Sequence, residues 1–156
     1  MRTPCRLTHR YRATAVSHLP ACGRDVSSRA LEISADLDNV VVTFTDQLRT
    51  ITGSVQVEPG ASAEDATVFL FPSDSTLWVD YGRTSRLMAS TRVPASAQFS
   101  LRLPPPGDYF IVAIPEDSVD QWQNPEVLSK LSALGDRIRV SADTAPVQTL
   151  QLKRIR

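Results

Sequence analysis

From residue 98 to residue 114 the chain alternates apolar and polar positions, stops, and resumes with apolar residues at every position. Phe99, Leu101 and Leu103 share one face and Gln98, Ser100 and Arg102 the other, the period of a half-buried strand. Beyond the Pro104-Pro-Pro-Gly107 break, Tyr109, Ile111 and Ala113 alternate with Phe110, Val112 and Ile114. Both faces of this second run are apolar, so it is predicted to be a central strand covered on both sides, with Phe99, Leu101, Tyr109 and Ile111 in the core. The three prolines fix φ and supply no backbone donors, and Gly107 tolerates a reversal; together they predict a hairpin turning at this corner.

The same period marks further strands on either side. Leu31-Glu-Ile33 alternates, and Val40-Val-Val-Thr-Phe-Thr45 is β-branched and aromatic throughout. Ile51, Gly53, Val55 and Val57 oppose Thr50, Thr52, Ser54 and Gln56, with Gly53 marking a bulge or a close backbone approach. Ala66-Thr-Val-Phe-Leu-Phe71, closed by Pro72, is apolar on both faces and predicts a second buried strand. Arg86–Ser90, Ile138–Val140 and Val147–Leu152 give three more, while Ser73–Thr84 has the composition of an elaborated loop. One helix is predicted, over about 125–134: Asn124 caps, Pro125 fits the first turn, and Val127, Leu128, Leu131 and Leu134 form a stripe ending at Gly135. Ten residues are too few for a free-standing helix, so it must dock on the strands. Counted from residue 48, seven short strands and one inserted helix without a βα rhythm predict an all-β fold, a two-layer β-sandwich.

Composition divides the chain. Its 156 residues suffice for one sizeable core, and the formal charge of zero conceals an uneven distribution. Residues 1–29 carry six arginines against the single acid Asp25, both histidines (His9, His18) and both cysteines (Cys5, Cys22). This segment shows neither hydrophobic periodicity nor the apolar stretch of a secretory signal, and is predicted to be a tail over residues 1–24. The remainder is mildly acidic and shows no basic stripe for nucleic acid and no apolar run that predicts a membrane span. Cys5 and Cys22 would be free to pair in an oxidising compartment.

Candidate chemistry is sparse. Cys5, His9, His18 and Cys22 are zinc-ligand types, but their spacing matches no usual zinc motif, so no metal site is expected. Asp36, Asp38 and Asn39 resemble the start of a calcium loop whose sixth-position glycine and twelfth-position glutamate are replaced by Val41 and Gln47. Glu116, Asp117 and Asp120 cluster after a buried strand, the residue type of a glycosidase pair, but a solvated acidic loop is the favoured reading. Beyond residue 22 the sequence holds no histidine, no Gly-x-Ser-x-Gly elbow and no phosphate-binding glycine loop, so no enzymatic activity, catalytic residue or cofactor is expected. Trp78, Tyr81 and Trp122 in loops are the one candidate ligand surface, because flat rings stack on sugar faces; the competing and favoured reading is that they cap the sandwich ends or staple the helix.

Thr52-Gly-Ser-Val55, Ala66–Pro72 and above all Leu103-Pro-Pro-Pro-Gly-Asp-Tyr109 resemble the carboxypeptidase regulatory-like domains. The resemblance covers about residues 47–153 and implies a transthyretin-like, seven-stranded prealbumin/Ig-like sandwich in a bacterial extracytoplasmic protein, attached as an accessory to other domains. It departs from the family where an Asp-Gly turn usually precedes Phe99; here Ala95-Ser-Ala-Gln98 stands instead. Residues 25–46 look like the closing strands of a preceding domain, as though the chain were the C-terminal portion of a longer protein, leaving 47–156 as the sandwich. Strands at 31–45 would then either pair with the sandwich or present an open edge. The expected function is that of a non-catalytic structural or accessory domain, with neighbouring protein domains as partners. The alternative is a carbohydrate-binding module, since related sandwiches include starch-binding-like modules, with Trp78, Tyr81 and Trp122 as its ligand surface.

Overall fold

The computed structural model describes residues 50–58, 63, 66–78, 85–115, 121–141 and 147–155, together with the backbone of 12–17 and 40–45. The chain divides into two compact units, Met1–Leu48 and Arg49–Arg156. In the first, β1 (Arg12–Ser17) pairs antiparallel with β2 (Val40–Thr45), from Arg12 opposite Thr45 to Ser17 opposite Val40. Thus a strand lies inside the stretch read from sequence as a tail. Arg-Ala-Thr-Ala-Val-Ser is a weak strand signal alone, and the β-branched Val40–Thr45 run supplies its ladder partner. The predicted strand at Leu31–Ile33 lies outside the described residues, as do both cysteines and both histidines.

The second unit contains seven strands in two sheets. One sheet has the order β6 (Gln98–Arg102), β3 (Thr50–Gln56), β9 (Val147–Gln151), with β3 antiparallel to β6 and parallel to β9. The other has the order β5 (Ala89–Arg92), β4 (Ala66–Pro72), β7 (Gly107–Pro115), β8 (Asp136–Val140), antiparallel throughout. Between them lies an inner core. Ile51, Val55, Phe99, Leu101 and Leu150 from the first sheet meet Val68, Leu70, Tyr109, Ile111 and Val140 from the second. All four core positions predicted from the 98–114 pattern are at most 4% exposed.

The opposite face of the four-stranded sheet is equally apolar. There Phe69, Phe71, Phe110, Val112 and Ile114 bury Leu128 and Leu131 of α1 (Pro125–Leu134), so the helix adds a third layer. This explains why β4 and β7 lack alternation: as the two central strands they are covered by the sandwich partner on one face and by the helix layer on the other. The helix begins as predicted, with the Asn124 side chain accepting from the Glu126 amide at 2.9 Å and Pro125 in the first turn.

Four details differ from, or decide between, the sequence expectations. The two runs flanking Pro104–Pro106 do not form a hairpin: β6 belongs to one sheet and β7 to the other. Consecutive prolines cannot donate to a ladder, so the chain crosses between sheets instead of folding back. Tyr109 closes that crossing, its buried hydroxyl donating to the Pro105 carbonyl at 2.8 Å, the geometry of a tyrosine corner. At Gly53 the alternative of close approach holds, because a Cβ there would lie 2.1 Å from the Gln148 carbonyl oxygen and 2.7 Å from the Phe99 ring. Gly135 stands in a tighter spot than its conformation requires: its φ of −73° is ordinary, and a Cβ would meet Phe110 at 3.2 Å, so the neighbour would have to give by a few tenths of an ångström. The strand expected at Arg86–Ser90 begins later, at Ala89. The Ser85 hydroxyl and carbonyl accept from the amides of Leu87 and Met88, holding the preceding residues in a turn that sends Leu87 to the inner core and Met88 to the outer one.

Candidate functional site

The candidate surface is the outer face of the four-stranded sheet, where two of the three loop aromatics meet the chain. Asp74 opens the loop after β4, its carboxylate accepting from the Thr76 amide and hydroxyl at 3.0 and 2.7 Å and winding Ser75–Leu77 into one 3-10 turn. That turn swings Trp78 back over the end of β4. Its indole Nε1–H donates to the Pro72 carbonyl at 2.8 Å, and its ring meets Phe71 edge-on, centroids 5.8 Å apart at 70°. Trp122 arrives from the other direction, in the turn before α1. Gln121 there takes a left-handed φ of 52°, its carbonyl accepting from the Asn124 amide at 2.8 Å, and the Trp122 ring tilts onto Phe69 with centroids 4.9 Å apart.

Phe69 and Phe71 are two residues apart on β4 and therefore on one face, which puts the two indoles over neighbouring positions. Each is half-buried against the outer core. Both rings thus spend part of their surface on packing, and the Trp78 ring nitrogen, its only polar group, is already engaged. Tyr81 lies outside the described residues, as do Asp36, Asp38, Glu116, Asp117 and Asp120.

Electrostatics of the described surface are local. Arg137 on β8 lies over the Phe110 ring at 5.2 Å, and Arg139 stands 3.8 Å from Asp108 across the β7–β8 ladder in an exposed pair. These charges on an edge strand oppose further strand pairing and were not singled out by the sequence, where isolated arginines carry no signal. The Tyr109 hydroxyl is pushed up to about 12 by burial, with Arg86 pulling weakly the other way. Among the described residues no group of three or more His, Cys, Asp or Glu side chains is placed to hold a metal ion, and no helix is long and apolar enough to cross a membrane. No protein-family model, curated protein or solved structure matches the chain.

Proposed function

We propose that residues 47–156 act as a non-catalytic accessory sandwich domain of the carboxypeptidase regulatory-like kind, within a larger extracytoplasmic bacterial protein. The observation that carries this reading is the use of the loop indoles. Trp78 and Trp122 cover Phe71 and Phe69 and seal the outer core beside α1, a packing role that stabilises a domain without requiring a ligand. An immunoblot of fractionated source cells tests it. Antibody raised against the sandwich is expected to detect a species larger than 17.2 kDa in the extracytoplasmic fraction; a species of that mass confined to the cytoplasm overturns the proposal.

One observation favours a second reading, carbohydrate binding. The two half-exposed indoles pack on Phe69 and Phe71, which share one face of β4, so both border a surface on which the rings of a glycan would stack. A glycan array separates the two readings. The accessory reading expects no signal; binding abolished by Trp78→Ala or Trp122→Ala in a folded variant would favour the carbohydrate module.

A further inference from the structure

The segment following β9 touches every layer of the sandwich unit within two residues. The Leu152 amide donates to the Gln56 carbonyl at the end of β3, and the next amide, of Lys153, donates to the Ala113 carbonyl of β7, both at 2.9 Å. Leu152 thereby leaves the three-stranded sheet and forms a parallel bridge with Ala113 on the four-stranded one. It joins β7 just past the point where β8 stops pairing, at Ile111 opposite Asp136. The Lys153 side chain then reaches the third layer. Its ammonium donates to the Leu134 carbonyl at the end of α1 at 2.6 Å and pairs with Asp136 at 3.0 Å.

The last turn of α1 contains no basic residue of its own. A helix end leaves carbonyls without partners and carries partial negative charge, both of which a cation at that position satisfies. Lys153 provides it from a distant part of the sequence. Two residues on, Ile155 packs against the same outer core that α1 covers, while Leu152 packs against the inner one. Lys153 stands between them in the chain, its side chain only partly exposed.

We infer that Leu152–Ile155 is a latch: it fastens α1 to the outer face of the four-stranded sheet, and the helix and latch open as one unit while the two sheets stay closed. Release uncovers the part of the outer core that Trp78 and Trp122 do not cover, an aromatic and aliphatic face that includes Phe110, Val112 and Ile114. Such sub-global opening is the expected behaviour of a contiguous layer that packs on one outer face of the sheet.

Native-state hydrogen exchange of the whole chain tests the latch. In the unmodified protein, the hydrogen-bonded amides of α1 and those of Leu152 and Lys153 are expected to exchange at a common rate, faster than those of β4 and β7; separate rates for helix and latch overturn the inference. In Lys153→Met, which keeps the stem but removes the donor and the charge, opening of α1 is expected to increase by about fivefold to thirtyfold, a change of one to two kcal/mol. Exchange in β3 and β6 stays within about twofold of wild type, this margin being the ~0.4 kcal/mol equivalent. An unchanged α1, or an equal increase in every strand, overturns the latch. Should Lys153→Met fail to fold, the common rate in the unmodified protein decides alone.

Discussion

Tyr109 holds the crossing between the two sheets through one hydrogen bond to Pro105, four residues back. Removing the hydroxyl takes the donor from that half-exposed carbonyl, so Tyr109→Phe is expected to destabilise the protein by about 0.5–1.5 kcal/mol in urea melts, with the fold retained. The same residue sets an alkaline limit. Its folded-state pKa is raised from 10.0 to about 12, chiefly by burial. Between these values the unfolded chain has lost the phenolic proton while the folded chain keeps it, so stability falls as pH rises. The contribution is fully present below pH ~10 and amounts to about 2–3 kcal/mol lost by pH ~12. Tyr109→Phe should flatten this part of the stability profile, and a profile of unchanged slope would show that another group titrates there. Ala97 poses the opposite problem. It takes a left-handed φ of 57° in the turn closed by its amide and the Pro94 carbonyl at 2.8 Å. A side chain in that region costs roughly 1–2 kcal/mol, and glycine returns part of this as chain entropy. Ala97→Gly should therefore stabilise by up to about 1 kcal/mol, read as a higher midpoint in the same urea melts.

Among the elements, α1 and the two doubly covered strands were the most legible in the sequence, for a physical reason. Their signals are local: a cap, an N-terminal proline and a 3.6-residue stripe in one case, an unbroken apolar run in the other. Partnership between distant strands is not local. The Pro104–Pro106 corner announces that a ladder stops, but whether the next strand folds back or crosses to another sheet depends on which residues lie opposite, and Phe99 faces Gly53 on β3. Nor does any pattern in 147–152 distinguish its parallel pairing with β3 from an antiparallel one. The candidate site was legible by residue type only. Loop tryptophans mark a surface of interest, but their seats on Phe69 and Phe71 arise from two chain segments more than forty residues apart, brought together by the sheet. Gly53 shows where such tertiary facts become testable. With a Cβ 2.1 Å from the Gln148 carbonyl, Gly53→Ala cannot be accommodated by a side-chain shift alone, because the obstacle is backbone. Separation of β9 from β3 is expected, at a cost of about 3 kcal/mol, the upper end of ordinary overpacking, and amides at 149–151 should exchange faster than those of β4.

The sandwich unit is built from three layers that share one sheet. Its inner core joins the two sheets and its outer core joins the four-stranded sheet to α1, so β4 and β7 contribute to both. Every described residue of either core falls between Ile51 and Ile155, and each of the seven strands from β3 to β9 pairs with another of the seven. A unit that supplies its own core and its own ladder partners has what independent folding requires. Arg49–Arg156 alone is therefore expected to fold cooperatively, with a far-UV spectrum dominated by strand and a thermal midpoint within about 4–8 °C of the full chain, the shift that 1 kcal/mol produces in a domain of this size. A molten spectrum without near-UV signal, or a midpoint lower by several times that margin, would show that Met1–Leu48 contributes to the stability of the sandwich.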